Sequence, residues 1–361
     1  MLDELDLHVT NRCTTSCAYC CFSSNRLALD ELSTEEFKNV IFQAYELGCK
    51  HLHFTGGEPL LRKDIIELIR YAAERKMDIR MQTNGMLLDV NTAIALKNAG
   101  LNSIMISLDS STSEIHDTNR GLGTWQAALE AIKVSLNVFD QVRVNSVLTN
   151  ANKDNIFDTI QFVKKLGVTN YSAFYFSPIG CGRGRYDLWI PPEEYLSFWK
   201  DLQERIISDT SLSDMNIIIE KAYADWNEAK EIDVSRFTGC GGGCLNTYYN
   251  RDYLIVRCDG SVYPCILAID SPSLGNVRQL SLDEIHKNSP MWNKLLPVSS
   301  KKCREECEHY ALCGGGCRYY PQNEFEEDKR CIYNKLVPLC PIMKYNSKNQ
   351  SLGGSSEDVM K

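Results

Sequence analysis

The chain has 361 residues, a formal net charge of −8 and 16 cysteines. Its length exceeds one average domain and predicts a large domain with a smaller one, and its acidic balance argues against a nucleic-acid-binding surface. No apolar run approaches the roughly 20 residues of a membrane span, and the N-terminus lacks a signal-peptide pattern, so we predict a cytoplasmic protein without membrane contact. In that compartment the cysteines are metal ligands or catalytic groups rather than disulfides.

The first predicted element is a strand at residues 5–9, where apolar and polar residues alternate. The loop after it carries Cys13, Cys17 and Cys20. Three thiolates at this spacing can hold three irons of a cubic iron–sulfur cluster and leave the fourth iron for an exchangeable ligand. Structural zinc sites prefer paired cysteines and four closed ligands, so zinc fits this loop less well, and a chance cluster of buried thiols fits least.

Strands and helices then alternate through the first half of the chain. Strands are predicted at residues 5–9, 51–54, 79–82, 103–108, 142–148 and 171–176, with helices at 33–47, 63–76, 90–99, 124–137 and 153–165. Six βα units predict an α/β fold whose parallel sheet curls into a partial (β/α)6 barrel. In such sheets the chemistry gathers in the loops after the carboxyl ends of the strands.

Polar and glycine-rich loops follow the predicted strands. The second strand is followed by a Gly-Gly-Glu-Pro run, the third by Thr-Asn-Gly, and the fourth by Ser-Leu-Asp. Two glycines allow close backbone approach, and the glutamate supplies a carboxylate. Each loop could equally be an ordinary turn.

Three later residues are also candidates for the site. Arg120 lies in a His-Asp-Thr-Asn-Arg-Gly run and could form a surface salt bridge instead. Asn145 lies on the fifth strand, and alternation alone does not say which way it points. Cys181 lies in a loop rich in glycine and arginine after the sixth strand, where it could donate a hydrogen atom, bind a cluster or simply pack.

The Cys13-x3-Cys17-x2-Cys20 spacing with Tyr19 resembles the signature of the radical S-adenosylmethionine (SAM) enzymes. The Gly-Gly-Glu-Pro run resembles the GGEP motif of that family, and the run at Arg120 resembles its HDxxRG segment. The resemblance implies a [4Fe–4S] cluster on the three cysteines, with SAM on the open iron. It also implies that SAM is bound by Tyr19, Gly56, Gly57, Glu58, Pro59, Thr83, Asn84, Ser107, Asp109, Arg120 and Asn145.

The resemblance assigns several of these residues to parts of SAM. Glu58 would face the methionine amino group, Ser107 and Asp109 the ribose, and Arg120 the carboxylate. Thr83 and Asn84 would lie near the methionyl or ribose group. These roles are expectations that follow from the motifs.

The second half of the chain has a different composition. Residues 191–225 have a helical pattern, and ten of the 16 cysteines lie beyond residue 239 in a glycine-rich region. Core packing does not explain such a density of thiols, so metal binding is the stronger interpretation. We predict a barrel domain at 1–190, a helical linker at 191–235, a cysteine-rich domain at 236–345 and a disordered tail at 346–361.

The cysteine-rich region resembles the SPASM extension of radical SAM enzymes, which binds two auxiliary [4Fe–4S] clusters. This chain has three residues, where the family usually has two, between the first pair of its late quartet. Cys258 and Cys331 are spare, and either could replace an assigned neighbour. The resemblance implies one cluster on Cys240, Cys244, Cys265 and Cys317, and a second on Cys303, Cys307, Cys313 and Cys340.

The implied reaction is reductive cleavage of SAM to a 5′-deoxyadenosyl radical that takes a hydrogen atom from a substrate. The SPASM resemblance favours a peptide or protein substrate, cross-linked or epimerised, with a flavodoxin- or ferredoxin-type electron donor. The first strand begins within ten residues of the start, so a leader-binding protein would be separate. Alternatives are a sulfatase-maturase-like protein oxidase, a small-molecule dehydrogenase or epimerase, and an electron carrier, which the GGEP-like loop disfavours.

Overall fold

A computed structural model describes residues 2–27, 29–220, 222–225, 253–290, 305 and 336–338. Within them the strands are β1 Glu4–His8, β2 His51–Thr55, β3 Asp78–Thr83, β4 Ser103–Ser107, β5 Gln141–Leu148, β6 Asn170–Tyr175, β7 Asn216–Ile219, β8 Tyr223–Asp225, β9 Tyr253–Arg257, β10 Ser261–Tyr263, β11 Gly275–Asn276 and β12 Leu336–Pro338. The helices are α1 Thr34–Glu46, α2 Ile65–Ala73, α3 Val90–Ala99, α4 Ser113–Arg120, α5 Thr124–Val138, α6 Ile156–Lys165, α7 Pro192–Ser208 and α8 Leu282–Asn288.

One large sheet carries the fold, in the strand order β11-β10-β9-β1-β2-β3-β4-β5-β6-β7. Strands β1 to β7 run parallel to their neighbours, and β9 pairs in parallel with β1. At the β9 side of this sheet, β10 and β11 are antiparallel, and β8 and β12 form a separate antiparallel pair. The six predicted strands are confirmed, and β7 and β9 extend the parallel sheet at its two edges.

The sheet contains strands from both the predicted barrel domain and the predicted cysteine-rich domain, which begins at residue 236. Residues 253–276 continue the barrel sheet, because all five residues of β9 pair with β1. Arg278 reinforces this junction with ion pairs to Asp30 and Glu36, at 2.9 and 2.6 Å. The described part of the second region is therefore built onto the first strand of the barrel.

Two secondary-structure predictions were wrong or incomplete. The helical pattern of residues 191–225 holds only to Ser208, because Asn216–Ile219 forms β7 beside β6. Three consecutive isoleucines fit a pleated edge better than a helix, since β-branched side chains lose rotamer freedom in helices. Helix α4 was not predicted, because its buried residues are His116, Asn119 and Arg120 and give no apolar stripe.

The two faces of the sheet differ in polarity. Leu5, Leu7, Leu52 and Phe54 are fully buried against the helices. The alternate residues form a polar surface, which we call the inner face, where strands contribute Asp6, His53, Gln82, Ser107, Asn145 and Ser172. No helix in the described part of the chain is both long and apolar enough to cross a bilayer.

Candidate active site

The candidate active site is built on the loop after β1, which carries the three cysteines. Thr15 Oγ1 lies 3.3 Å from Cys13 Sγ and 3.5 Å from Cys17 Sγ, and the Cys20 thiol contacts Ser24 Oγ at 3.5 Å. Burial raises the pKa of Cys13 and Cys17. A bound metal would oppose that shift, because coordination deprotonates a thiol.

The three thiols share the one loop after β1, as the ligands of one cluster would. In the described residues, no group of three His, Cys, Asp or Glu side chains is placed to hold one metal ion. A cubic iron–sulfur cluster takes each thiolate on a different iron, so its ligands stay apart. The three cysteines of this loop can therefore hold the predicted [4Fe–4S] group.

Asn25 closes the cysteine loop on itself. Its side chain accepts a hydrogen bond from the Cys13 amide at 2.7 Å and donates to the carbonyls of Cys13 and Thr15 at 2.8 and 3.2 Å. The Asn25 backbone has a φ of 64°, a conformation that Asn tolerates better than most residues. No sequence motif points to this residue.

The Gly-Gly-Glu loop after β2 packs directly against the cysteine loop. The amide of Gly57 donates to Thr10 O at 2.7 Å, and that of Glu58 donates to Arg12 O at 2.8 Å. A Cβ atom on Gly57 would lie 2.0 Å from Arg12 O, and one on Gly56 would lie 2.7 Å from Thr10 O. The close approach that the glycines predicted is therefore made to the backbone of the cysteine loop.

Glu58 joins the loops that follow β2 and β3. Its fully buried carboxylate accepts from Thr83 Oγ1 at 2.8 Å and from the Asn84 amide at 2.9 Å. It also accepts from the Leu60 amide at 3.2 Å, in the short turn that Pro59 opens. Burial raises the pKa of Glu58 to about 6. At neutral pH the carboxylate is charged, as its predicted contact with an amino group requires.

Asn84 contacts the cysteine loop as well. Its Nδ2 donates to Cys13 Sγ at 3.6 Å and to Thr14 Oγ1 at 2.9 Å. Hydrogen bonds to ligating sulfurs tune the reduction potential of an iron–sulfur cluster. This position suits a residue that orients a cluster ligand, and the contact predicted with SAM stays a prediction.

Asp109 lies at the centre of a buried cluster beneath the cysteine loop. Arg120 donates two hydrogen bonds to its carboxylate, from Nε to Oδ2 at 2.7 Å and from Nη2 to Oδ1 at 3.0 Å. The Tyr19 hydroxyl donates to Oδ2, and the Val147 amide donates to Oδ1 at 3.0 Å. Burial opposes the ionisation of Asp109, but the charge and hydrogen bonds of Arg120, together with His116 and Tyr19, lower the pKa of Asp109.

This buried group of side chains also joins residues from different SAM-binding motifs. Asp109 and Arg120 were predicted to bind the ribose and the carboxylate of SAM, and here their charged groups pair with one another. Because Tyr19 lies between Cys17 and Cys20, the pair anchors the cysteine loop from below. The ligand contacts of Asp109 and Arg120 stay predictions.

His116 and Asn152 support the backbone of Asp109. The Asp109 amide donates to His116 Nδ1 at 3.1 Å, and Asn152 Nδ2 donates to the Asp109 carbonyl at 2.9 Å. Burial lowers the pKa of His116 to about 4, so its Nδ1 is unprotonated and accepts at neutral pH. The HDxxRG run thus acts as a support for the strand end.

The inner face continues the site across the sheet. Ser107 accepts from Gln82 Nε2 at 3.4 Å, and Asn145 accepts from Ser172 Oγ at 2.9 Å. Ser107 and Asn145 are register partners on β4 and β5, so both point the same way. The direction of Asn145, which alternation left open, is therefore inward.

Cys181 lies against the cysteine loop. Its amide donates to Cys20 O at 2.9 Å. The preceding residue, Gly180, has a φ of 55°, and a Cβ atom there would lie 2.3 Å from Cys21 O. The loop after β6 thus contacts the cysteine loop, as the sequence predicted.

The second region contributes two buried cysteines to the described residues. Cys258 directly follows β9, with its carbonyl accepting from the Leu32 amide at 2.6 Å, and Cys265 precedes a short helical turn, Ile266–Asp270. Burial raises the pKa of Cys258 to about 12. The remaining cysteines predicted as auxiliary ligands or spares lie outside the described residues: Cys240, Cys244, Cys303, Cys307, Cys313, Cys317, Cys331 and Cys340.

Comparison with known protein families matches both halves of the chain. The Radical SAM superfamily matches residues 7–179, and an iron–sulfur cluster-binding domain, SPASM, matches residues 244–315. Together the two matches cover well over half of the sequence. They include the cysteine loop and every strand-end residue of the candidate site up to Asn145.

Curated relatives and solved structures resemble the chain over most of its length. An AdoMet-dependent heme synthase of Methanosarcina barkeri is 29% identical over 90% of this chain and 95% of its own. A PqqA peptide cyclase of Granulibacter bethesdensis is 28% identical over 86% of this chain and 80% of its own. SuiB of Streptococcus suis, solved with S-adenosylmethionine, superposes with a TM-score of 0.76 at 19% identity, covering 92% of this chain and 78% of that one.

Proposed function

We propose, since the chain belongs to the radical SAM enzymes that carry a SPASM domain, that its substrate is a peptide. The cofactors of this enzyme are SAM and [4Fe–4S] clusters, with auxiliary clusters in the SPASM domain. When bound at the cysteine loop, they supply a radical able to abstract a hydrogen atom. The choice of substrate then depends on the surface that faces this loop.

The inner face is the observation that carries the proposal. It presents amide and hydroxyl groups, of which Ser107 and Asn145 are predicted to face SAM, whereas Gln82 and Ser172 can hydrogen-bond to a peptide backbone. Phe174 and Val147 are register partners at the mouth of the same face, and Phe174 is 41% exposed. An exposed aromatic beside polar groups suits a peptide side chain next to its backbone.

Relatives support the same substrate class. One is named a PqqA peptide cyclase, and SuiB has also been solved bound to a precursor peptide, SuiA. We expect the electron to come from a flavodoxin- or ferredoxin-type protein and a leader peptide to be held by a separate partner. Cross-linking, thioether formation and epimerisation are the outcomes open to such an enzyme.

Residues of this chain perform three tasks in the proposed reaction. Asn25 and the hydrogen-bonded group around Asp109 hold the cysteine loop in place. Beside that loop, Glu58 joins the loops that follow β2 and β3. A reactive radical requires that water be excluded from the reacting groups once the substrate is bound. A backbone hydrogen bond holds Cys181 beside Cys20, and this proximity supports a role of its thiol as hydrogen donor.

The test is anaerobic reconstitution of the full chain followed by reduction. We expect about twelve irons per chain, the content of three [4Fe–4S] clusters, and release of 5′-deoxyadenosine measured by liquid chromatography. Added peptides, encoded by short reading frames beside the gene, should change mass in step with that release. A Cys17→Ala variant should abolish both, while zinc in place of iron or intact SAM would refute the proposal.

A second candidate is heme synthesis. The relative from Methanosarcina barkeri is matched over 95% of its length and is named an AdoMet-dependent heme synthase. The same reduced enzyme should therefore be incubated with iron porphyrins that bear carboxylate side chains. A mass change in the porphyrin, with neighbouring peptides unaltered, would favour this candidate over the peptide.

A further inference from the structure

A second polar group lies on the inner face where β1 pairs with β9. His8 and Arg257 are register partners, so their side chains leave the sheet on the same side. His8 is fully buried, and Arg257 is 6% exposed. Within the described residues, both ring nitrogens of His8 and the Nε and Nη2 atoms of Arg257 have no hydrogen-bond partner.

Buried polar groups are normally paired, so these four atoms require an explanation. The Tyr263 hydroxyl hydrogen-bonds to Arg257, but a phenol does not neutralise a guanidinium. Arg257 takes part in none of the ion pairs found in the described part of the chain. Burial, with a smaller effect of Arg257, lowers the pKa of His8 to about 3, so the imidazole is neutral.

The geometry of the unpartnered atoms indicates what would bind there. Nε and Nη2 form one edge of a guanidinium, a two-pronged donor that matches the two oxygens of a carboxylate. Arg120 uses this same edge to hold Asp109, at 2.7 and 3.0 Å. On Arg257 the edge is buried without such a carboxylate in the described residues, and neutral His8 beside it offers one further N–H.

The position of the pair links it to the candidate active site. His8 is the last residue of β1, and its ring stacks on Phe22 at 4.1 Å, two residues beyond Cys20. Asp6, on the same face of β1, accepts a hydrogen bond from the Tyr253 hydroxyl at 2.7 Å. The pair thus lies on the inner face directly behind the cysteine loop.

We propose that Arg257 and His8 bind a carboxylate group of the substrate. This inference rests on the proposed function, because a peptide supplies such a group from an acidic side chain or from its C-terminus. Arg257 holds both oxygens and His8 donates its N–H to one of them. The enzyme therefore selects substrates that place a carboxylate near the C–H bond to be broken.

The test measures binding of small probes to the reconstituted full-length protein, without any turnover. The probes are N-acetylglutamate methylamide, with a side-chain carboxylate; N-acetylalanine, with a terminal one; and N-acetylglutamine methylamide, the neutral control. Calorimetry should detect binding of at least one acidic probe and at least tenfold weaker binding of the glutamine probe. Which acidic probe binds more tightly tells whether the site takes a side chain or a C-terminus.

Variants assign the binding to the pair. Arg257→Gln should weaken binding of the acidic probe at least tenfold. Arg257→Lys should restore part of the affinity, since lysine keeps the positive charge but not the two parallel N–H donors of the guanidinium. His8→Gln, which keeps a side-chain N–H, should weaken it less than Arg257→Gln does. Arg278→Gln is the matched control, because that arginine pairs with Asp30 and Glu36 at the surface.

Three results would overturn the inference. The first is equal affinity for the acidic and neutral probes. The second is a loss of SAM affinity in Arg257→Gln, which would assign the residue to the cofactor. The third is an altered electron paramagnetic resonance spectrum of the reduced clusters with unchanged probe binding. If the probes bind as expected but no peptide is modified, the carboxylate site stands and the proposed peptide activity fails.

Discussion

At the scale of single residues, Asp109 illustrates how a charged group can support a cofactor loop. Its two oxygens accept from Arg120, Tyr19 and a backbone amide, all within a fully buried environment. The attraction within such a buried ion pair offsets the free energy of removing both charges from water only while all of its hydrogen-bond partners remain. The cysteine loop therefore depends on a carboxylate 89 residues beyond Cys20 in sequence.

We predict that Asp109→Asn destabilises the protein by about 3–5 kcal/mol, because it leaves the buried Arg120 charge without a counterion. Urea unfolding monitored by circular dichroism measures the change. Asp140→Asn is the matched control, since Asp140 pairs with Lys97 at the surface, where such pairs contribute about 1 kcal/mol or less. Equal losses in the two variants would contradict the anchoring role.

Cys181 allows a second prediction at this scale. If its thiol returns a hydrogen atom to the substrate, Cys181→Ala should still cleave SAM but yield no net product. The readouts are 5′-deoxyadenosine release and peptide mass or stereochemistry. Cys49→Ala provides the control, because Cys49 is buried before β2 begins, at the amino-terminal end of the strands and away from the cysteine loop. Unchanged product from Cys181→Ala would remove the thiol from the mechanism.

At the scale of elements, the loops after β1 and β2 behave as one unit. Backbone hydrogen bonds from Gly57 and Glu58 reach the carbonyls of Thr10 and Arg12. No side chain fits between the two loops, since a Cβ on Gly57 would overlap Arg12 O at 2.0 Å. The glycines therefore determine the shape of the cysteine loop.

Gly57→Ala should separate these loops, because the clash is with backbone that has no rotamer to change. We expect iron content after reconstitution to fall by more than half, with SAM binding lost in proportion. The iron assay and equilibrium dialysis of SAM measure this. Gly123→Ala, where an added Cβ meets nothing within 4 Å, should cost only the strain of its φ of 81°. Full iron loading of Gly57→Ala would show that the loops tolerate separation.

At the scale of the whole molecule, buried titratable groups make the fold sensitive to acid. Burial lowers the pKa of His8 to about 3 and of His116 to about 4, below the ordinary 6.5. Their folded forms bind fewer protons than the unfolded chain, so stability is lost as pH falls below 6.5. Glu58 acts in the opposite direction, since its pKa is raised to about 6 and stability falls as pH rises from 4.5 to 6.

The net effect between pH 7 and pH 5 follows from these three groups. As the pH falls over that range, each histidine lowers the unfolding free energy by about 2 kcal/mol and Glu58 raises it by about 1 kcal/mol. The unfolding free energy should therefore fall by about 3 kcal/mol. His116→Asn keeps an acceptor near Nδ1 but cannot titrate, and should lose about 2 kcal/mol of that dependence. Urea denaturation at the two pH values provides the measurement. A flat profile in the parent protein would contradict the burial of both histidines.

The sequence alone was enough to predict the fold class and the cysteine loop. Period-two alternation located the first and fifth barrel strands, because one face of such a strand packs on helices and the other does not, and short strand-like runs between helical segments located the other four. The spacing of Cys13, Cys17 and Cys20 indicated a cluster, because the geometry of iron–sulfur ligation restricts such spacings. Local patterns of this kind act over a few residues and can be read without knowing the fold.

Only the tertiary structure decided which distant groups meet. The pairing of β9 with β1 places Arg257 beside His8, although 248 residues separate them in sequence. The contacts of Asp109 with Tyr19 and of Asn84 with Cys13 likewise depend on strand order, which no local pattern encodes. The cysteine loop could therefore be identified from sequence, whereas the buried charges that hold it and the carboxylate site proposed behind it required the folded sheet.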